Sequence, residues 1–440
     1  MGTLSDIVSV QIALNTAAVQ RGTFGIAMIA APLTSFSELV RSYTSYDATK
    51  NDNLPPQVLV ALSDAFAQTP HPTTVKVGRL TAASAIITPI DAVAGAVYSL
   101  KLGTTTVSVT AAATPTTSTI ATQLAAAINT AALGVTATAT AANVSLVNTG
   151  TVVPVTTFSR IQWGAITPGA GSLAADLTAI ASADKAWYVL HMVERTKQRI
   201  LDAAAWVEAN EKLFITATAD ADVLVPGTTT DVVSTLQATQ YFRTAIIYAS
   251  NAATEYPDVA WASRVLPIQP GAETWALKRI ASVTADNLSA TQSTTIYTKG
   301  GNTIDTYAPA LALTRNGKVA AGEYIDVIRF RDWLKDLIQT NMVQMLVNRD
   351  KLPYTDAGIN VAHTNMKGSL RTGQNVGGIA PDELKADGSQ NPGFVTFAPL
   401  AADVDDVTKA ARTLYLTFNA RIAGAIHLIN ITGSLSYSLT

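Results

Sequence analysis

The chain has 440 residues, a formal net charge of -2 and no cysteine; 48% of its residues are hydrophobic and 14% charged. That composition lies far from disordered chains, the length calls for two or three domains, and the charge balance offers no global basic field for direct contact with nucleic acid or an anionic membrane. The lack of cysteine removes disulfides, thiolate metal sites and thiol nucleophiles, while the absence of a basic leader and of any apolar run of roughly 18–20 residues gives the expectation of assembly in a reducing cytoplasm, with no membrane insertion.

Val8, Val10, Ile12 and Leu14 alternate with polar or small neighbours, the period of a half-buried strand. Phe24 to Ala30, Pro56 to Gln68 and Val75 to Leu80 read as strand, helix, strand. From Lys101 to Arg160 no charged residue intervenes, and alanine and threonine dominate. The spacing there still predicts strands at Val97 to Leu102, Thr106 to Thr110, Val135 to Ala139 and Val144 to Val147. A helix with Ile120, Leu124 and Ile128 on one face lies between the two pairs, so residues 85–158 read as an inserted small β-rich ββαββ domain. From Leu173 helices and apolar strands alternate: helix to Ala183, strand Ala186 to Met192, helix Glu194 to Asn210, strand Leu213 to Thr218, helix Asp231 to Gln240, strand Thr244 to Ala249. This pattern predicts a layered α/β core with a mostly parallel sheet covered on both faces, α+β overall once the insertion is counted.

A third region begins after Tyr297 and holds a long helix, Tyr324 to Val347, with apolar residues three and four apart and a charged side carrying Arg329, Arg331 and Lys335. That side is read either as a solvated face or as a seam against a partner. Gly368 to Gly393, rich in Gly, Asn and Asp, reads as a long loop, and Leu414, Leu416 and Phe418 mark a strand. At the end Ile429, Ile431, Leu435, Tyr437 and Leu439 alternate with polar residues. Amphipathic strands at both ends can pair within their own sheet or add to the edge of a neighbour's, the pattern of β-augmentation.

Searching for chemistry gives no foothold. His71, His191, His363 and His427 are scattered without ligand spacing, and the glycines 373, 377 and 378 lack the lysine of a phosphate loop. Asp403, Asp405 and Asp406 lack the glycine and terminal glutamate of a calcium loop. No catalytic residue, cofactor site or metal site is expected, and the protein is not expected to be an enzyme.

Four stretches, SDIVSVQIALNTAAVQRGTFGIAMIA, VYSLKLGTTTVSVT with TIATQLAAAIN, ALTRNGKVAAGEYIDVIRFRDWLKDLIQ and ARIAGAIHLINITGSLSY, together resemble the tail sheath proteins of contractile phage tails. The resemblance implies a core (residues 21–84 and 159–425, with a carboxy-proximal inner region from about 300), an outward insertion at 85–158, and arms at 1–20 and 426–440 that join strands of adjacent subunits. It implies hexameric rings stacked helically around a tail tube, with baseplate and tail terminator proteins as further partners, in the virion tail. Contraction would drive the tube through the host envelope for genome ejection, powered by two packings of one subunit rather than by nucleotide. The inner, carboxy-proximal region of such proteins faces the tube, which makes Arg329, Arg331 and Lys335 the tube-facing candidates. A tube or capsid structural protein is the nearer alternative, an enzyme with an unrecognised site the farther one.

Overall fold

A computed structural model describes residues 23–309 and 311–433. The chain divides into two compact units: an α/β unit built from residues 23–329, which residues 425–433 rejoin, and a second unit spanning Phe330–Gly424. The expected amino-terminal strand with Val8, Val10, Ile12 and Leu14, and the distal part of the carboxy-terminal one with Leu435, Tyr437 and Leu439, lie outside the described residues.

The α/β unit begins with β1 (Ala27–Pro32), β2 (Val40–Tyr43), α1 (Pro56–Phe66) and β3 (Val75–Leu80). It then leaves the core for β4 (Ala82–Pro89), β5 (Val97–Leu102), β6 (Thr105–Thr110), α2 (Thr117–Ala131), β7 (Val135–Thr140), β8 (Asn143–Asn148), β9 (Val155–Ser159) and β10 (Ile161–Pro168). The predicted strand pairs and helix are present here. Thr116 starts α2 with a reciprocal capping box to Thr119, and Ile120, Leu124 and Ile128 are buried on its inner face. The sheet β10-β4-β8-β7, the sheet β6-β5-β9 and α2 share one hydrophobic core.

The leading and trailing strands, β4 and β10, pair with each other, so this module extends past 85–158 at both ends. Its boundary is set by strand pairing, which a charge-free stretch does not mark. The two connections enter side by side: Gly169 N–H donates to Thr81 O at 2.7 Å. Replacing residues 82–168 by a short Gly-Ser linker is therefore expected to leave a folded core. The loss should be about 1 kcal/mol for each severed docking bond, Val155 N–H to Thr34 O at 2.8 Å and Trp163 Nε1–H to Asn53 O at 3.0 Å. Urea unfolding of the shortened chain checks this, and a chain that never folds would contradict it.

The core resumes with α3 (Leu173–Ala183), β11 (Val189–Met192), α4 (Lys197–Asn210), β12 (Leu213–Thr218), α5 (Val232–Ala238), β13 (Thr244–Tyr248), α6 (Pro257–Val265), α7 (Ala290–Thr298), β14 (Asn302–Ala308) and β15 (Leu311–Arg315). One sheet runs β15-β14-β13-β12-β11-β1-β3-β2, with parallel pairs from β14 to β3 and an antiparallel strand at each edge. Alternate residues face opposite ways. Met28, Leu190, Phe214 and Ile246 pack with α3, α4 and α5, while Val189, Ile215 and Ile247 pack with α6. Burial on both faces explains the near-continuous apolar strands.

The second unit contains α8 (Ile325–Val347), which begins in the α/β unit, then α9 (Asp356–Asn375), the hairpin β16 (Glu383–Leu384) and β17 (Gln390–Asn391), and β18 (Phe394–Phe397). It closes with α10 (Asp406–Ala410) and β19 (Thr417–Ala420). The stretch expected as a loop from Gly368 thus begins inside a helix. Ile359, Ala362, Met366 and Leu370 form its buried stripe. Glycine-rich composition hid that stripe, because two of the glycines serve close packing rather than turns. A Cβ on Gly378 would overlap the Phe330 ring, and one on Gly393 would overlap the Ala380 carbonyl.

Candidate assembly surfaces

In a parallel α/β sheet ligands bind beyond the carboxyl ends of strands where the strand order reverses, here between β1 and β11. That position is filled. Leu33, Thr34, Ser35 and Phe36 after β1 are buried, Thr34 O accepts from Val155 of the inserted module, and Ser35 Oγ donates to Asn53 O at 2.5 Å.

The histidines hold structure together. His191 is buried with Nδ1 2.9 Å from Ile215 O, beside an Asp258 carboxylate that pairs with Arg195 at 2.8 Å. His71 meets the Phe66 ring edge-on, and His363 Nε2 lies 2.8 Å from Thr396 Oγ1. Asp405 caps α10, accepting from Thr408 N–H at 2.8 Å. Among the described residues no group of three or more His, Cys, Asp or Glu could hold a metal ion, and no helix is long and apolar enough to cross a membrane.

Burial pushes the Asp64 carboxyl up to about 6, despite bonds from Tyr256 N–H at 3.0 Å and Ser282 Oγ–H at 2.9 Å. A raised carboxyl pKa makes the folded state bind more protons, so Asp64 contributes stability below about pH 4 that is lost as pH rises through about 6. Asp64→Asn should therefore stabilise the protein by about 1 kcal/mol at pH 7.5 and have little effect at pH 4. Urea midpoints at both pH values test it; an equal shift at both would refute the assignment.

Of the three expected tube-facing cations, Arg329 is not on an outer face at all. It is 1% exposed, bonds Glu273 Oε1 through Nη1 at 2.6 Å, and donates Nη2 to the carbonyls of Phe24, Leu266 and Ile268 at 3.2, 2.9 and 3.0 Å. Its position beside the apolar stripe, together with a guanidinium whose donors match a carboxylate and several carbonyls, places it inside. Arg331 and Lys335 are exposed on α8, with Arg331 bonded to Asp332.

Carboxy-terminal to Ile422 no strand forms among the described residues, so the alternating segment has no sheet partner within the described chain. Ile429 and Ile431 are 74% and 89% exposed. The segment is tied down just before them. His427 Nε2 lies 2.7 Å from Thr274 Oγ1, and its ring meets Tyr324 edge-on at 5.3 Å. Burial, with the positive charges of Arg315, Lys278 and Lys318, holds the His427 imidazole below its ordinary pKa. Lys318 Nζ sits 4.8 Å from the Tyr324 ring centre.

The second unit exposes a complementary feature. β18 and β19 form a two-stranded antiparallel sheet with no further strand at either edge among the described residues. Isolated pairs are marginal in water and open edges invite another strand. Val395 and Phe397 on β18 are 51% and 66% exposed. Beside β19 an apolar groove of about 480 Å³ is lined by Met342, Met345, Ile359, Met366, Leu416 and Phe418, among others. The strand expected near Phe418 is present as β19, whereas the four residues of β18 are too few to show a period.

The layered core, the inserted module and the two-stranded sheet define a class: this is the fold of sheath proteins from contractile systems. The structure resembles a chain of the contracted anti-feeding prophage (AFP) baseplate, with a TM-score of 0.58, 11% identity and 99% of each chain covered. It also resembles a chain of the contracted AFP helical sheath, with a TM-score of 0.55, 9% identity and 99% of each chain covered. At such identities the likeness is one of fold. More particularly, residues 325–435 match the family model "E217 tail sheath protein gp31-like, C-terminal domain". No curated protein matches the sequence.

Proposed function

We propose that the protein is the sheath subunit of a contractile tail or injection apparatus. It polymerises with its own copies as stacked hexameric rings around a tube and contracts to drive the tube through a cell envelope; in a phage, this delivers the genome. The observation that carries the reading is the tail sheath match over 325–435, on a chain whose whole fold resembles sheath-system chains. Two surface features support self-assembly: an apolar carboxy-terminal segment without a sheet partner among the described residues, and a two-stranded sheet with open edges. In this reading residues 1–20 and 426–440 are linking arms, 21–81 and 169–425 the core, and the inserted module, with β4 and β10 counted in it, lies at the periphery. Electron microscopy of purified protein is the test: wide, transversely striated polymers are expected, while dispersed particles at every concentration and salt would overturn the reading.

Tube contact is assigned to Arg331 and Lys335 alone, since Arg329 is internal. Their joint neutralisation to Gln should weaken co-sedimentation with tubes at low salt, by about 1–2 kcal/mol for two exposed charges, and leave sheath polymers intact. Unchanged co-sedimentation at low salt would remove these residues from the tube face.

A further inference from the structure

The segment that carries Ile429 and Ile431 rises from a concentration of positive charge. Lys278, Arg315 and Lys318 all act on His427, and none of the three forms an ion pair among the described residues. Arg315 and Lys318 rest instead on the rings of Tyr307 and Tyr324. The neighbouring carboxylates do not cancel this charge. Glu273 is committed to Arg329, and Asp326 is the one other carboxyl that acts on Lys278, while Arg264 acts on it with the opposite sign. Burial and Arg264 lower the Lys278 pKa, so the charge of the cluster stands chiefly on Arg315 and Lys318.

The second unit carries the opposite arrangement. The connection between β18 and β19, residues 398–416, carries three exposed carboxylates, Asp403, Asp405 and Asp406, against two cations, Lys409 and Arg412, and leaves the sheet at the end marked by Phe397 and Thr417. Asp405 is used as a cap, and Asp406 has only a loose pair, 3.7 Å from Lys409. An apolar segment beginning next to a basic cluster thus has its counterpart in the strand β18, which ends next to a connection rich in carboxylates. Four strand residues span about 13 Å, so a segment laid antiparallel along Phe394–Phe397 would set its first residues beside the acidic connection.

We propose that the basic cluster of Lys278, Arg315 and Lys318 at the root of the carboxy-terminal segment docks on the acidic connection around Asp403 and Asp406 of a second copy of this chain. The inference rests on the reading that the chain polymerises through that segment. Opposite charge at the root fixes the direction of the added strand: antiparallel to β18, because the reverse direction would carry the cluster to the far end of the sheet. Backbone pairing alone does not choose between the two directions, whereas a misplaced cluster would leave both charged groups unmatched.

Charge reversal tests it in the full-length chain. Arg315→Glu with Lys318→Glu, and separately Asp403→Lys with Asp406→Lys, should each raise the critical concentration for polymerisation about tenfold, the effect of roughly 1.4 kcal/mol. Asp405 is left alone because it caps α10. All four reversals in one chain should return the critical concentration to within about threefold of the starting protein. A fourfold variant as defective as the two reversals combined, or either pair without effect, would overturn the docking. The polymerisation reading is tested separately by truncation after Ala425: if the truncated chain polymerises as well as the full one, that reading fails whatever the charges do. If truncation abolishes polymers and the reversals change nothing, only the docking fails.

Discussion

Truncation after Ala425 is expected to leave a soluble, folded subunit that no longer forms polymers. Ile429 and Ile431 are almost fully exposed in the single chain, so removing them takes nothing from its core. Burial of one such side chain against a neighbour is worth about 1.5–3 kcal/mol, so these two supply several kcal/mol per subunit before the rest of the segment is counted. The only described anchor lost is the His427 contact to Thr274 and Tyr324, at the margin of the α/β unit. Ile431→Asp alone should act in the same direction, since a carboxylate in an apolar seam has no partner. Circular dichroism and negative-stain microscopy read the two halves of the expectation. Loss of folded signal would assign the segment to its own core; normal polymers would show that it links nothing.

Arg329→Ala should cost about 3–5 kcal/mol of folding stability, the largest effect expected of any single substitution considered. The cost arises from what is left behind. Glu273 would remain buried without its cation, and the carbonyls of Phe24, Leu266 and Ile268 would lose a shared donor. Arg329→Lys should recover little, because one ammonium does not span a carboxylate and three carbonyls. The double variant Arg329→Met with Glu273→Leu should be much closer to the parent than Arg329→Ala, since it removes both charges together. Urea unfolding provides the comparison, and a single variant within 1 kcal/mol of the parent would show that the pair is not the tie described.

Period and burial explain which parts were legible beforehand. The helix Leu173–Ala183 and the strand Leu213–Thr218 have the bounds that their apolar spacing implies, because a helix packed on one face and a strand buried on both leave plain patterns. Asp231, read as the first residue of a helix, is its cap, accepting from Ser234 N–H at 2.9 Å. α6 and α7 went unread. α6 is buried on nearly all sides and α7 is made largely of threonine, so neither shows a two-faced stripe. At the candidate surfaces, alternation at Ile429 and Ile431 implies a strand, while the single chain leaves both side chains exposed with no strand formed; Arg329, by spacing, falls on a charged side. Sequence spacing places residue 329 near the edge of the apolar stripe, and only the positions of Glu273 and three distant carbonyls reveal that it faces inward.

Thr81 and Gly169 meet across a single hydrogen bond, and a Cβ at Gly169 would lie 2.7 Å from Thr81 Cγ2. Such a junction works as a socket. Apart from the two docking bonds to Thr34 and Asn53, the core requires of the intervening chain only that the gap between these two residues stays narrow, so modules of other size and chemistry can be seated there as long as their own ends lie adjacent. Selection can then replace the inserted module wholesale while the sheet and its flanking helices stay as they are. A foreign domain with neighbouring termini, grafted between the same two residues, would be carried once per subunit.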